Sequence, residues 1–599
     1  MAKSDNNKKK ISLVQIVLVL SIVALAFLVA LVLLKKPEGY EDNDTVIPGY
    51  KDEYDNEEDN LIQTIWAEVR NGLGAFNSVA DIYDVENSKA VKSEIDRLIS
   101  ENEYTDSNPL IIYNPYGTDY LSMYLYFRTS KPSKVEYFIH RVNEQVPDYY
   151  SKLPSNTVTG YANVHEYRLI GLIPNYTNVI TLRIEDMSGD VVTRRFYYSL
   201  PDIISKDEEK IKGLNPTKFV ENEDKTVSEV LESEKNVTDG FYVLYDYDVV
   251  NNSDKSSLVS TDAIYFYDNG GHLRSKIPQI SGNTASIAFS EEGMIYNVSE
   301  RQIVITDRFG QVKQSYDLDI YSMNGSFLYD RNHNKLIIPV SKDKKDSVND
   351  YIISLDLTSK RISPIIDFEM VFPNYKGICN QAGDKLKWLE INSIISSDPF
   401  GSDSVLLAFG EPSTIVKLSD IYKNPQVEYM IGSDAVWGAT SDAKNMYYAE
   451  GVKSMPVGIS SLHFMEYDKI RPTRYYLYFF QNFNSEIKSR PFVEWENAIA
   501  SEDAALLGKG ATEGTVSYYS RYLIDEAEKT AREVDRIPVA YSGVEGSVQW
   551  FNGNLIVDST CKNVFSEMDS EFGRIIEFNL GKYSAKKVEK IDLESFLYN

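Results

Sequence analysis

Apolar and polar residues alternate along most of this chain with the period of two that is typical of half-buried β-strands. Between residues 105 and 204 the alternation occurs in short runs separated by turn-forming residues. These runs cover residues 110–113, 120–128, 135–142, 167–172, 179–185 and 191–199. Six short strands over a stretch of about one hundred residues predict a β-sandwich of immunoglobulin-like size.

Residues 205–599 repeat a different unit, in which a strand-like run ends in a polar turn and a second run leaves it. The units cover residues 265–277, 304–318, 352–368, 415–431, 521–539 and 575–593. Each blade of a β-propeller repeats such a hairpin, whose turn is rich in Gly, Asn or Asp. The pattern therefore predicts an all-β propeller, and six units favour six blades, although periodicity alone leaves seven open.

Residues 61–104 show helical spacing instead. Apolar residues recur three or four positions apart between Leu61 and Leu73 and again between Val91 and Ile99. This spacing predicts two helices that form a helical connector in front of the sandwich.

An uncharged run of 24 residues covers positions 11–34 and is long enough to cross a bilayer as a helix. Three lysines precede it at positions 8–10, and acidic residues follow it closely. The distribution predicts a single-pass anchor within residues 1–36, with the N-terminus in the cytoplasm and the C-terminal domains on the other side of the cell membrane. A cleaved signal peptide is the competing interpretation, but no small-x-small motif follows the run.

Acidic residues dominate the next segment, because residues 37–60 hold ten acids and one base. Such a composition cannot bury a core and predicts a solvated stalk. The net charge of the whole chain is −27, which argues against nucleic acid as a partner.

The two cysteines, Cys379 and Cys561, lie far apart in sequence and are compatible with one long-range bridge or with two buried thiols. The chain has no zinc-ligand spacing, Gly-rich phosphate loop or dinucleotide-binding fingerprint. The sequence therefore predicts neither a metal nor a cofactor.

His463 is the candidate for chemistry. It is one of only five histidines and lies in the longest segment between two of the repeated units. A neutral imidazole can attack the sulfur of a sulfate ester and later leave, which splits one transfer into two steps. Without further context, a histidine beside Phe464 and Met465 is more often a packed or surface residue.

Several strings carry a resemblance to a known family. They are NPLIIYNPYGTDYLSMYLYF (108–127), WLEINSIISSDPFGSDSVLLAFGEPSTIVKLSD (388–420) and LHFMEYD (462–468). Together they resemble the bacterial aryl-sulfate sulfotransferases, which move a sulfuryl group between phenols without a nucleotide donor. The resemblance implies a six-bladed propeller and a transient sulfohistidine at His463.

The chain departs from that family at positions that support the nucleophile. Glu390 stands where the family usually has a histidine, and Gly410 stands where it has an arginine. A second family histidine would fall near Gly325, and the nearby His333 fits a hairpin turn better than the motif. Asn392 is kept, and the resemblance implies that it donates a hydrogen bond to a sulfate oxygen, with Glu390 also facing the substrate.

These departures leave open whether the protein is an enzyme. One hypothesis is a sulfotransferase with weakened activity, whose partners are a phenolic sulfate donor and a phenol acceptor. The alternative is a catalytically degenerate member whose extracellular propeller binds a ligand or a partner. We expect residues 11–34 to contact the membrane, and the sequence leaves open whether the protein forms a homodimer.

Overall fold

The computed structural model describes residues 62–64, 68–71, 73–74, 76–142, 149–153, 159–200, 214–221, 227–230, 237–247, 263–282, 286–323, 325–380, 385–397, 403–449, 455–483, 487–490, 493–494, 516–581 and 583–598. The predicted membrane anchor and the acidic stalk lie outside these residues. Within the described part, no helix is both long and apolar enough to cross a membrane.

The first domain is built on one eight-stranded network of strands. Its strands are β1 (Ile62–Thr64), β2 (Val69–Asn71), β3 (Leu110–Tyr113), β4 (Ser122–Arg141), β5 (Tyr149–Leu153), β6 (Ala162–Ile170), β7 (Thr177–Asp186) and β8 (Val191–Ser199). The long strand β4 belongs to two groups, because its first half pairs with β3 and β6 and its second half pairs with β5 and β7. Leu125 in the first half and Tyr137 in the second half contribute to the same buried core.

The connector differs from its prediction. The structure contains the short helix α1 (Val79–Ile82) and the long helix α2 (Val85–Glu101), so the second predicted helix is present. The first predicted helix is wrong, because β1 and β2 occupy that stretch and pair in parallel with β8 and β3. Open sheet edges offer backbone partners that the spacing of apolar residues does not reveal.

Twenty-eight further strands and three helices follow among the described residues. The strands are β9 (Asn215–Glu221), β10 (Val227–Val230), β11 (Phe241–Tyr245), β12 (Ala263–Tyr267), β13 (Leu273–Pro278), β14 (Ile287–Phe289), β15 (Met294–Ser299), β16 (Gln302–Thr306), β17 (Val312–Asp317), β18 (Tyr321–Met323), β19 (Leu328–Asp330), β20 (Lys335–Lys342), β21 (Tyr351–Asp356), β22 (Ile362–Asp367), β23 (Ile391–Ser396), β24 (Val405–Phe409), β25 (Thr414–Ser419), β26 (Gln426–Ile431), β27 (Tyr448–Ala449), β28 (Ile459–Tyr467), β29 (Arg474–Gln481), β30 (Ser517–Asp525), β31 (Thr530–Val539), β32 (Ser547–Phe551), β33 (Asn554–Ser559), β34 (Val564–Met568), β35 (Arg574–Asn579) and β36 (Lys587–Ile591). The helices are α3 (Phe368–Val371), α4 (Pro373–Ile378) and α5 (Leu593–Tyr598).

These strands form six sheets, which confirms the predicted six-bladed propeller. Blade 1 contains β11–β13 and β36, blade 2 contains β14–β17, and blade 3 contains β18–β22. Blade 4 contains β23–β26, blade 5 contains β27–β31, and blade 6 contains β32–β35 together with β9 and β10.

The sixth predicted hairpin, residues 575–593, is wrong as a hairpin. Its first strand, β35, lies in blade 6, whereas its second strand, β36, pairs with β11 in blade 1. The last strand, β36, thus completes blade 1, and β9, which precedes that blade in sequence, pairs with β35 of blade 6, so strands from both ends of the propeller region close the ring.

Asp119 joins the first domain to blade 1. Its carboxylate is fully buried and accepts hydrogen bonds from Arg168 Nη2 (2.6 Å), Ser275 Oγ (2.8 Å) and the backbone N–H of Lys276 (3.0 Å). Ser275 and Lys276 lie on β13, so a charge-assisted contact fixes the two domains to each other.

The two cysteines do not form a bridge. Both Cys379 and Cys561 are free, and Cys561 is exposed to solvent. The bridged alternative is therefore excluded in this structure, and only Cys379 is partly buried, where burial raises the pKa of its thiol to about 11.

Candidate functional site

Edge strands of four blades meet side by side in the propeller. Asn392 Nδ2 on β23 donates to the carbonyl of Ile459 on β28 at 2.8 Å. Ser461 Oγ on β28 donates to the carbonyl of Val548 on β32 at 2.9 Å. Gln549 Nε2 on β32 donates to the carbonyl of Lys590 on β36 at 3.1 Å. Residues that are far apart in sequence are thereby brought into one row of strands.

His463 lies on β28 in this row. Its imidazole stacks on the ring of Tyr478, with a centroid distance of 4.8 Å and an interplanar angle of 10°. Its Nε2 atom lies 3.1 Å from Ser461 Oγ. Tyr478 is itself held by blade 6, because its hydroxyl accepts a hydrogen bond from the backbone N–H of Trp550 at 3.1 Å. The ring plane of the half-buried His463 is therefore fixed from two sides.

A β-bulge produces this arrangement. The pairing of β28 with β29 shifts between Ser460 and His463, and Ser461 has a φ of +51°. A left-handed conformation in a residue other than glycine costs on the order of 1–3 kcal/mol and often marks a functional position. Bulges re-aim side chains, and here Leu462 is buried in the core while Ser461 and His463 both approach blade 6.

The pKa of His463 is lowered from its ordinary value to about 4. Burial is the main cause, and the positive charge of Lys587 adds to it, whereas Glu589 and a hydrogen bond to the Val548 backbone oppose it. Lys587 and Glu589 lie on β36 and form an ion pair at 2.5 Å. The imidazole is therefore neutral near pH 7 and keeps a lone pair for nucleophilic attack.

The structure groups the positions at which the chain departs from the sulfotransferase pattern. The carbonyl of Glu390 accepts a hydrogen bond from the N–H of Gly410 at 3.0 Å. A Cβ atom on Gly410 would lie 2.8 Å from Asn392 Nδ2, and one on Gly325 would lie 3.8 Å from the carbonyl oxygen of Asn392. The three departures, Glu390, Gly410 and Gly325, thus lie around Asn392.

This packing has consequences for the two predicted substrate-binding residues. Any side chain at position 410 would displace the amide of Asn392, so an arginine at that position is incompatible with the present position of Asn392. Asn392 Nδ2 already donates to Ile459, and Asn392 Oδ1 is buried with no hydrogen-bond partner among the described residues. Glu390 lies with its carboxylate 3.8 Å from Lys387 Nζ.

His463 is close to this group but not bonded to it. Ser393 Oγ accepts a hydrogen bond from the backbone N–H of Leu462 at 3.1 Å, which places the two motifs on adjacent strands. In the part of the chain that the structure describes, no hydrogen bond or ion pair joins His463 to Glu390 or Asn392.

His333 lies elsewhere, in the turn between β19 and β20. Its Nδ1 atom lies 2.8 Å from Asp330 Oδ2, and its ring packs against Tyr422. This position is that of a hairpin turn, as the sequence indicates.

Sequence reasoning missed four residues around His463, namely Ser461, Tyr478, Lys587 and Glu589. Ser461 directly precedes the motif that contains His463, but nothing in its identity signals a left-handed backbone. Lys587 and Glu589 lie about 120 residues from His463 along the chain, so only the ring closure by β36 brings them near. Among the described residues there is no group of three or more side chains that could hold a metal ion.

Residues 226–597 match the family described as arylsulfotransferase (ASST), and residues 110–199 match the arylsulfotransferase Ig-like domain. No curated protein matches the chain significantly.

Similar solved structures include a putative 6-phosphogluconolactonase from Bacteroides uniformis, 10% identical over 76% of this chain and 99% of that chain with a TM-score of 0.30. A periplasmic gluconolactonase from Pseudomonas aeruginosa is 10% identical over 76% of this chain and 99% of that chain, with a TM-score of 0.31. BamB from Moraxella catarrhalis is 11% identical over 49% of this chain and 74% of that chain, with a TM-score of 0.23. Similarity at this level does not bear on function.

Proposed function

Because the chain belongs to the arylsulfotransferase family, we propose that it transfers a sulfuryl group from a phenolic sulfate ester to a phenol through a sulfohistidine on His463. The observation that carries this proposal is the neutral, half-buried imidazole, stacked on Tyr478 at 4.8 Å and held by Ser461 at 3.1 Å. A preoriented imidazole that is unprotonated at neutral pH meets the requirements of a nucleophile.

The charges around His463 support a weakened form of this activity. A sulfuryl group in transfer carries negative charge on three oxygens, which donors and cations must stabilise. The positive charge of Lys587 acts on His463. The carboxylate of Glu589 partly neutralises that charge, because its Oε1 atom lies 2.5 Å from Lys587 Nζ. Loss of one stabilising donor typically lowers a rate by roughly two to three orders of magnitude, so a site without the arginine at position 410 should turn over slowly.

Asn392 is the proposed substrate-binding residue, with Glu390 at the edge of the same group. Since Asn392 Oδ1 is a buried acceptor without a partner in the described part of the chain, a phenol hydroxyl that donates to it would satisfy an otherwise costly group. Family members are expected to use this asparagine as a donor to sulfate, whereas here one of its N–H groups is already used by Ile459.

Turnover of an aryl sulfate tests the proposal. The purified protein, mixed with 4-nitrophenyl sulfate and phenol, should form phenyl sulfate slowly but faster than a reaction without protein. Release of 4-nitrophenol without phenyl sulfate would indicate hydrolysis instead of transfer. Binding of the aryl sulfate without any product would favour the alternative, a propeller that binds ligands without catalysis.

The rate of transfer should depend on pH in a way that follows from His463. Its pKa is lowered to about 4, and the neutral form is the nucleophile, so activity should be constant between about pH 6 and pH 8 and should fall as pH decreases through about 4. An unperturbed histidine would instead lose activity below about pH 6.5. Initial rates in a series of buffers, with circular dichroism at each pH to exclude unfolding, distinguish these profiles; a midpoint near pH 6.5 would contradict this assignment.

The location of this activity rests on residues 11–34 alone. We propose a single-pass anchor with the propeller outside the cytoplasm, as the flanking lysines indicate.

A further inference from the structure

The atom of His463 that forms the bond to sulfur follows from the hydrogen bonds of Ser461. Ser461 Oγ accepts a hydrogen bond from the N–H of Val548 at 3.1 Å and donates to the carbonyl of Val548 at 2.9 Å. A hydroxyl group has one hydrogen and two lone pairs. Once its hydrogen points to Val548, the remaining contact, His463 Nε2 at 3.1 Å, is satisfied only if Nε2 carries a proton and donates it.

The opposite assignment also leaves Nε2 unable to attack. If Ser461 donated its hydrogen to Nε2, the lone pair of Nε2 would be used in that hydrogen bond, and Nδ1 would carry the proton. Besides Ser461, His463 has a hydrogen bond to the backbone of Val548, the residue whose N–H and carbonyl also bond Ser461 Oγ. Among the described residues, Nε2 is the ring nitrogen with a side-chain hydrogen bond, and none is found at Nδ1. Only the form protonated on Nε2 therefore combines this geometry with a free lone pair, and that lone pair is on Nδ1.

We infer that Ser461 is a positioning residue which holds His463 as the Nε2-protonated tautomer, so that Nδ1 accepts the sulfuryl group. This inference rests on the proposed function for the transfer and on geometry alone for the tautomer. The strained φ of +51° at Ser461 serves this role, because the bulge places Ser461 Oγ between His463 and Val548.

Sulfuryl transfer takes place in two steps at Nδ1. A bond forms between Nδ1 and sulfur while the bond between sulfur and the aryl oxygen breaks, and the aryl oxygen keeps the electron pair and takes a proton from water. The imidazole ring gains positive charge, which is shared with the Nε2–H group and stabilised by Ser461 Oγ. In the second step the acceptor phenol loses its proton to water, its oxygen attacks sulfur, and the electrons of the N–S bond return to Nδ1.

The tautomer can be read without any turnover. The full chain with ¹⁵N-labelled histidine, at pH 7, should show a protonated Nε2 and an unprotonated Nδ1 for His463, with the signals identified by their loss in His463→Gln. Ser461→Gly removes the hydroxyl and suits the left-handed backbone. It should raise the exchange rate of the ring N–H with water by about fivefold or more, because one hydrogen bond is lost.

Ser460→Ala is the matched control. Ser460 Oγ also bridges blades 5 and 6, since it donates to the carbonyl of Gly546 at 2.5 Å, but it does not contact His463. Its loss should leave the ring N–H exchange unchanged. A similar increase in both variants would show that Ser461 acts only through the packing of the blades and would overturn its positioning role.

A second measurement locates the sulfuryl group. After reaction with 4-nitrophenyl sulfate, the ¹⁵N shift of Nδ1 in His463 should change, with Nε2 still protonated. A sulfuryl group on Nε2 would overturn the inference while upholding the proposed function. If no adduct forms, the proposed function fails and the tautomer signals still decide the role of Ser461, because a proton found on Nδ1 would overturn that role.

Discussion

Replacing His463 with alanine should abolish sulfuryl transfer and leave the fold intact. The side chain is the proposed nucleophile, and removing a nucleophile from a covalent mechanism lowers the rate by about three to six orders of magnitude. Because the parent turnover is expected to be slow, the variant should reach the rate of the reaction without protein. The measurement is the formation of phenyl sulfate from 4-nitrophenyl sulfate and phenol, together with the mass of any adduct on the protein.

Two further variants make this result specific. His463→Gln keeps a side-chain amide that can contact Ser461, so it should be equally inactive with an unchanged midpoint of thermal unfolding. His333→Ala removes a histidine in the turn between β19 and β20, bonded to Asp330, and should keep the parent rate. Transfer by His463→Ala at the parent rate, or its loss in His333→Ala, would show that the nucleophile has been misassigned.

Replacing Lys590 with methionine should destabilise the propeller by about 3–5 kcal/mol, because it leaves a buried carboxylate without its cation. Lys590 Nζ lies 2.8 Å from Glu567 Oε2, and both side chains are 0% exposed. Lys590 is on β36 in blade 1 and Glu567 is on β34 in blade 6, so this ion pair lies where the ring closes. Glu567 also accepts hydrogen bonds from Tyr242 at 2.5 Å and Asn554 at 2.6 Å, so its charge is well anchored in the parent.

The double variant Lys590→Met with Glu567→Gln is the control. It removes both charges and should recover much of the lost free energy of unfolding, as is usual when a buried pair is replaced as a whole.

The single variant should regain stability as pH falls, since protonation of Glu567 then removes the unpaired charge. In the parent, burial raises the pKa of Glu567, but Lys590 and the hydrogen bonds outweigh it and hold the pKa below its ordinary value, so its stabilisation is lost as pH falls. Equal stability of the parent and Lys590→Met in urea unfolding would show that the pair does not hold the ring closed.

Much of the architecture could be predicted from the chain alone, because strand periodicity and turn residues are local properties. The first five repeated units each lie in one blade, and the six units predict the six blades that the structure contains. The sixth unit looks the same in sequence, yet its strands β35 and β36 belong to different sheets. Closure of the ring decides which strands pair with each other. The alternation of apolar and polar residues along a strand does not contain this information.

The candidate site shows the same division. The sequence by itself identified His463, Asn392 and Glu390 as the positions to examine, and it showed the absence of an arginine at position 410. Only the tertiary structure placed Ser461 and Tyr478 against the imidazole and brought the charge of Lys587 to bear on it. A residue type is recorded in the sequence, whereas its pKa, tautomer and partners depend on distances between strands that meet only after the propeller has closed.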